Sequence, residues 1–252
     1  YQLGKQIKMT TGCLECFIKL KEDWKNKGID VHIFVVSVGL KTLIRGAIDG
    51  YMETNNITKN PIDGIYSAEI SENIVEINNV KKHVFEVISV IEDYSKTEIA
   101  YEIAKGGKIN RDKKFTGNDY VIPHNKFIVL GDGFSDIPMF RFFRKKGGKG
   151  IMVYKKGCMT SYLKARSNSF DNVDYLLERD YTPIPQNPLW YYLNKVISDV
   201  SYKECKHSEV SIYNYKWSKQ MCKTEEQEIV DHLSKCEEHK FGFTLTYVVP
   251  RN

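Results

Sequence analysis

Apolar residues along the chain fall into two rhythms, one with a helical period and one of short unbroken runs. From Thr11 to Lys25, Leu14, Phe17, Ile18 and Leu20 lie near one face with Trp24 further on, which predicts a helix ended by Gly28. Val31 to Val36 is apolar except for His32 and predicts a buried strand. Ser37-Val38-Gly39 is expected to turn the chain, after which Leu40, Leu43, Ile44, Ala47 and Ile48 follow at helical spacing. Strand, tight turn and helix form the repeating unit of a parallel sheet.

The pattern continues with a short strand expected at Gly64 to Ile70, a segment Asn73 to Asn79 expected to pair with its C-terminal neighbour, and an apolar Val84 to Val90 of undecided type. Ser95-Lys96-Thr97-Glu98 reads as a capping box opening a helix to Ala104, which Gly106-Gly107 ends. Residues 108–124 read as a polar loop. Phe127-Ile128-Val129-Leu130 is wholly apolar, as a central parallel strand must be when both its faces are covered. Gly131-Asp132-Gly133 breaks it. Ile137, Phe140 and Phe143 mark a helix that stops before Gly147-Gly148, and Ile151 to Tyr154 is one more strand.

Three prolines between Thr182 and Pro188 mark a connection. A helix is expected over Leu189 to Val200 with Trp190, Leu193, Val196 and Ile197 inward. Beyond Ser201 cysteine, histidine, lysine and glutamate become dense, with a helix expected at about 224–239 and a strand at Phe243 to Val249. The expected architecture is an α/β core over 1–200, a Rossmann-like parallel sheet with helices on both faces, followed by a small α+β appendage over 201–252.

Composition adds limits. Hydrophobic residues make up 42% of the 252 and charged residues 27%, as in globular proteins. Thirty-seven Lys and Arg against 32 Asp and Glu give a net charge of +5, which suits an anionic substrate. There is no dense basic stripe, so nucleic acid is not an expected partner. No apolar run reaches the roughly 18 residues that span a bilayer, and no signal peptide is visible. With six dispersed cysteines, the expected compartment is the cytoplasm, with reduced thiols.

Candidate chemistry gathers at three places. Ser37 directly follows an apolar strand, where ligands of open parallel sheets bind. Its hydroxyl and the backbone N–H groups of Val38 and Gly39 could hold a phosphate at a helix start. Asp132 and Asp136 follow the end of a central strand four residues apart, a donor type suited to magnesium, which takes one or two carboxylates plus phosphate oxygens and water. Lys96 stands in the first turn of a helix, where the macrodipole disfavours a cation unless an anion is near.

The stretch Val35-Val36-Ser37-Val38-Gly39-Leu40-Lys41, the helix-start Lys96 and the string Leu130-Gly131-Asp132-Gly133-Phe134-Ser135-Asp136-Ile137-Pro138-Met139 resemble the second, third and fourth motifs of haloacid-dehalogenase-like hydrolases. The resemblance covers roughly residues 7–200 and is most specific over Gly131–Met139; Tyr94-Ser95-Lys96-Thr97 resembles the third motif of a bacterial subgroup of generic hydrolases. It implies magnesium-dependent hydrolysis of a small phosphomonoester through an aspartyl-phosphate. Ser37 would bind phosphoryl oxygens, Lys96 would neutralise nucleophile and phosphate, Asp132 would ligate magnesium and Asp136 would support the ion or its waters.

The family's first motif, an apolar strand ending in Asp-x-Asp, is absent: Asp171-Asn172-Val173-Asp174 has the wrong spacing and Asp63-Gly64 follows no strand. In the family that strand lies between the strands leading to Ser37 and to Asp132, and its loss would leave backbone groups unpaired in mid-sheet. The leading expectation is a segment upstream of Tyr1. The others are a strand from another chain, and a degenerate domain serving as a phosphate-binding or protein-interaction scaffold.

Weaker signals remain. Cys13-Leu14-Glu15-Cys16 opens a helix without a thioredoxin-like context. His232, Cys236 and His239 could share a helix face and accept zinc, and a protein partner, if any, is expected at 201–252. Trp190, Tyr191 and Tyr192 are read as core and interface rather than as stacking platforms.

Overall fold

A computed structural model describes residues 1–77, 80–107, 120–201 and 245–248. After a short α1 (Gln2–Lys5) the elements run α2 (Cys13–Lys25), β1 (His32–Leu40), α3 (Lys41–Thr54), β2 (Gly64–Ile77), β3 (Val80–Ser89), α4 (Asp93–Ala104), β4 (Phe127–Gly131), α5 (Ile137–Lys145), β5 (Lys149–Tyr154), α6 (Met159–Ser169), β6 (Tyr175–Glu178), α7 (Pro188–Ser201) and β7 (Leu245–Val248). The fold is mixed α/β, with sheet order β3-β2-β1-β7-β4-β5-β6.

Period-2 burial makes the sheet the middle layer. Ile33 and Val35 of β1 and Ile128 and Leu130 of β4 pack with α2, α3 and α7. Val36, Phe127 and Val129 turn the other way, into a second core with α4 and α5. An apolar β4 is therefore what two covered faces require. Trp190, Leu193, Val196 and Ile197 are all buried, as their spacing predicts, and Trp24 Nε1 ties α2 to α7 by donating to Asn194 Oδ1 at 2.9 Å.

Neighbouring strands β1–β2, β4–β5 and β5–β6 pair in parallel through helical connections. From β1 the chain moves outward to β2 on one side, and from β4 it moves outward to β5 and β6 on the other. Right-handed crossovers then put α3 and α5 on opposite faces, as the two cores show.

Several expectations change. The sheet is mixed rather than parallel throughout: β3 runs antiparallel to β2, and β7 runs antiparallel to both β1 and β4. The strand expected at 243–249 is β7, and it pairs with the two central strands, completing their ladders. The segments read separately at 64–79 and 84–90 form one long hairpin, β2–β3. No turn forms at Ser37-Val38-Gly39; β1 continues to Leu40 and absorbs the change of direction as a bulge between Ser37 and Leu40. The Ser95–Glu98 capping box is not made, because α4 starts three residues earlier, at Asp93, with Glu92 in place of Ser95 as N-cap and no side-chain cap. The helix expected at 224–239 and the zinc candidates His232, Cys236 and His239 lie outside the described residues, as does most of the loop read at 108–124. Among the described residues no helix is long and apolar enough to cross a membrane.

Candidate functional site

Ser37 and Asp132 stand at the same height on the sheet. Val35 and Leu130 both pair with Leu245 of β7, and each candidate lies two residues beyond that rung. Two strand spacings separate them laterally, roughly 10 Å. Both therefore sit at the carboxyl ends of strands that run the same way, at the place where the strand order reverses and ligands of such sheets gather.

Lys96 comes from the opposite core. Its place near the start of α4 buries the side chain to 1% exposure, and Nζ donates to Ser135 Oγ and to Asp136 Oδ1, each at 2.8 Å. Asp136 is fully buried, and its Oδ2 accepts the Gly133 backbone N–H at 3.3 Å. The lysine expected beside an anion thus meets its anion, but that anion is Asp136. Gly131 makes room for this carboxylate: a Cβ there would lie 2.8 Å from Asp136 Cγ and closer still to Oδ2. Gly131→Ala is expected to displace the Asp136 carboxylate from Lys96 and cost about 1–3 kcal/mol, read by denaturant unfolding.

Asp132 projects from the turn after β4. Burial, then the neighbouring Asp136 charge, push its pKa up to about 6, against the opposing pull of Arg179 and Lys96. Its Oδ2 accepts from Arg179 Nη1 at 3.2 Å. Arg179 directly follows β6, whose last rung is tied by Arg179 N–H donating to Tyr154 O at 2.7 Å. Sequence reasoning did not single out Arg179 or Ser135. The signal for Arg179 is its position just past a parallel strand, the same relative place as Asp132.

Ser37 is half-buried, and its Oγ accepts the Gly39 N–H at 3.1 Å. The Gly39 N–H is therefore already engaged, a correction to its expected role as a free phosphate donor. Val38 is exposed at the bulge. The structure joins Lys96, Ser135 and Asp136 by hydrogen bonds and Asp132 to Arg179 by another, the two groups meeting through the charges of Asp132, Asp136 and Lys96, with Ser37 at the same height on the far side of β7.

Among the described residues no group of three or more His, Cys, Asp or Glu side chains could by itself hold a metal. The donor set at hand is Asp132 with Asp136 behind it. Both are hard oxygen donors, and their mutual repulsion is what a dication would relieve. Two carboxylates match the share of magnesium's shell that protein normally supplies. Asp136 is held by Lys96 and Gly133, so Asp132 fits the direct ligand and Asp136 its support.

The Cys-x-x-Cys is not poised for redox chemistry. Cys13 and Cys16 are buried free thiols at the start of α2. Burial raises Cys13 well above the ordinary range, and burial with Glu15 nearby raises Cys16 to about 12, so neither forms a thiolate at neutral pH. Trp190 and Tyr192 are buried, in keeping with a core role.

Comparison with protein-family models, curated proteins and solved structures finds no match to this chain.

Proposed function

We propose that the site belongs to a magnesium-dependent phosphomonoester hydrolase of the haloacid-dehalogenase-like type, built on a Rossmann-like core and acting on a small phosphorylated substrate. The observation that carries this reading is the buried Lys96 joined to Ser135 and Asp136, beside an Asp132 whose charge is destabilised by its surroundings. Phosphoryl transfer asks mainly for positioning and for neutralisation of charge. The Ser37 hydroxyl is free to donate to a phosphoryl oxygen, since its bond to Gly39 uses the oxygen as acceptor. Lys96 supplies positive charge from a fixed position. Arg179, whose partner is Asp132, adds a second cation at the rim. Magnesium, when bound at Asp132, would supply the remaining charge neutralisation.

The second reading is a non-catalytic phosphate-binding or protein-interaction scaffold. One observation favours it: the strand between β1 and β4 is Leu245-Thr246-Tyr247-Val248, antiparallel and without a carboxylate, and the chain contains no Asp-x-Asp. The two readings part in one experiment, phosphate release from an aryl phosphate with and without magnesium, for the protein and its Asp132→Ala variant. Release that needs both magnesium and Asp132 supports the hydrolase. Absence of release, together with magnesium-dependent binding of orthophosphate lost in the variant, selects the scaffold. Absence of both removes the site.

A further inference from the structure

Residues 72–76 of β2 and 81–89 of β3 are exposed, so among the described residues the outer part of the β2–β3 hairpin is covered on neither face. Residues that alternate along paired strands share a side, so Ile74, Phe85 and Val87 lie on one face and Val75 and Val84 on the other. Exposure reaches 61% at Ile74, 63% at Phe85 and 68% at Val87 on the first face, and 37% and 41% at Val75 and Val84 on the second. Among the described residues β3 is also the last strand of the sheet. A long edge strand presents a row of backbone N–H and C=O groups that invites another strand, and β3 carries exposed Val84, Phe85, Val87 and Ile88 among its charged residues.

We propose that β3 pairs antiparallel with β3 of a second copy of this chain, on a two-fold axis passing through Val84. Symmetry narrows the register. Directly opposed residues of an antiparallel pair share a face, so a two-fold axis normal to the sheet must pass through a residue and never between two. An axis at Lys82 sets that lysine against itself, and one at Glu86 sets glutamate against glutamate. Axes at His83 and Phe85 set no opposite charges against each other. An axis at Val84 places Lys82 of each copy opposite Glu86 of the other, twice in the interface, and also opposes His83 to Phe85 and Lys81 to Val87. Glu86 is already steadied by Asn73 Nδ2 at 3.3 Å, and Lys82 has no ion-pair partner among the described residues. The pairing would satisfy the open edge and join two apolar ribbons on both faces.

Sedimentation velocity across a dilution series of the whole chain tests this. The expected result is a dimer whose dissociation constant rises about tenfold in Lys82→Glu and in Glu86→Lys, each of which sets two like-charged pairs across the axis. An equimolar mixture of the two variants is expected to recover the parental strength, because every cross-axis pair in the mixed dimer is again of opposite charge. Both substitutions are on exposed positions, and circular dichroism checks that the fold survives. A protein that stays monomeric throughout overturns the proposal. So does a dimer that ignores both substitutions, or a pair of weakened variants that the mixture does not rescue.

Discussion

Replacing Lys96 with Met is expected to lower unfolding stability by about 3–5 kcal/mol, the cost of leaving a buried carboxylate without its cation. The number rests on geometry. Lys96 is 1% exposed and Asp136 fully buried, and the 2.8 Å contact between them joins α4 to the turn after β4. A surface pair of the same length would be worth far less, because solvent would take over each charge when its partner left. Here water is excluded, so the orphaned charge must protonate or drag in solvent. The double variant Lys96→Met with Asp136→Asn is expected to regain more than half of the loss, since a neutral amide no longer demands a cation. Guanidinium denaturation of the wild type, both single variants and the double variant gives the coupling directly. Additive losses would show that the pair is not the source of the effect.

Asp132 has the second large effect, and its sign is opposite. Its pKa in the folded protein is about 6, above the ordinary 3.8, because burial and Asp136 oppose the charge. Between those values the folded state holds the proton more tightly than the unfolded chain does. Its favourable contribution is therefore complete below about pH 4 and is lost as pH rises through 6. The difference corresponds to about 2–3 kcal/mol. Stability measured from pH 4 to pH 7 is expected to fall by that order. Asp132→Asn is expected to flatten the profile and to be the more stable protein at pH 7, while abolishing any magnesium-dependent phosphate release. Added magnesium is expected to restore stability at pH 7 in the wild type and to leave the variant unchanged. A wild type whose stability is level from pH 4 to pH 7 would contradict the assignment. A residue that weakens the fold where it is charged is one whose charge is wanted for something other than folding.

The parts of this molecule that were legible in the sequence are those fixed by local rhythm. Phe127–Leu130 announced a strand covered on both faces because it had no polar residue to show to water. The inward set of α7 was readable from its spacing. Lys96 was picked out by its oddity at a helix start, although its partner is Asp136 and its helix begins earlier than the apparent cap. The missed elements have weak patterns: α6 buries only Ala165, and β6 is four residues long. The β2–β3 hairpin was split in reading because its outer part, without a buried face, has no clean alternation to follow. The Arg179–Asp132 contact spans 47 residues, and nothing local to either residue encodes it. The position of β7 was likewise invisible, since four residues can show that they favour a strand and cannot show which strands they will join.

That position has a consequence for how the chain acquires its structure. Most ladders here join strands close in sequence and can form as soon as each connecting helix is made. The central ladder cannot. His32 waits for Val248, and so does Phe127, across gaps of more than 200 and more than 100 residues. During synthesis at about 5–20 residues per second, the apolar β4 and the largely apolar β1 therefore spend on the order of ten seconds or more with open inner edges before their common neighbour exists. Loop closure over such distances is also slow, so the two flanks of the sheet are expected to fold as separate units and to be stitched together last. In a cell, the period before β7 arrives is when this protein would need a chaperone most.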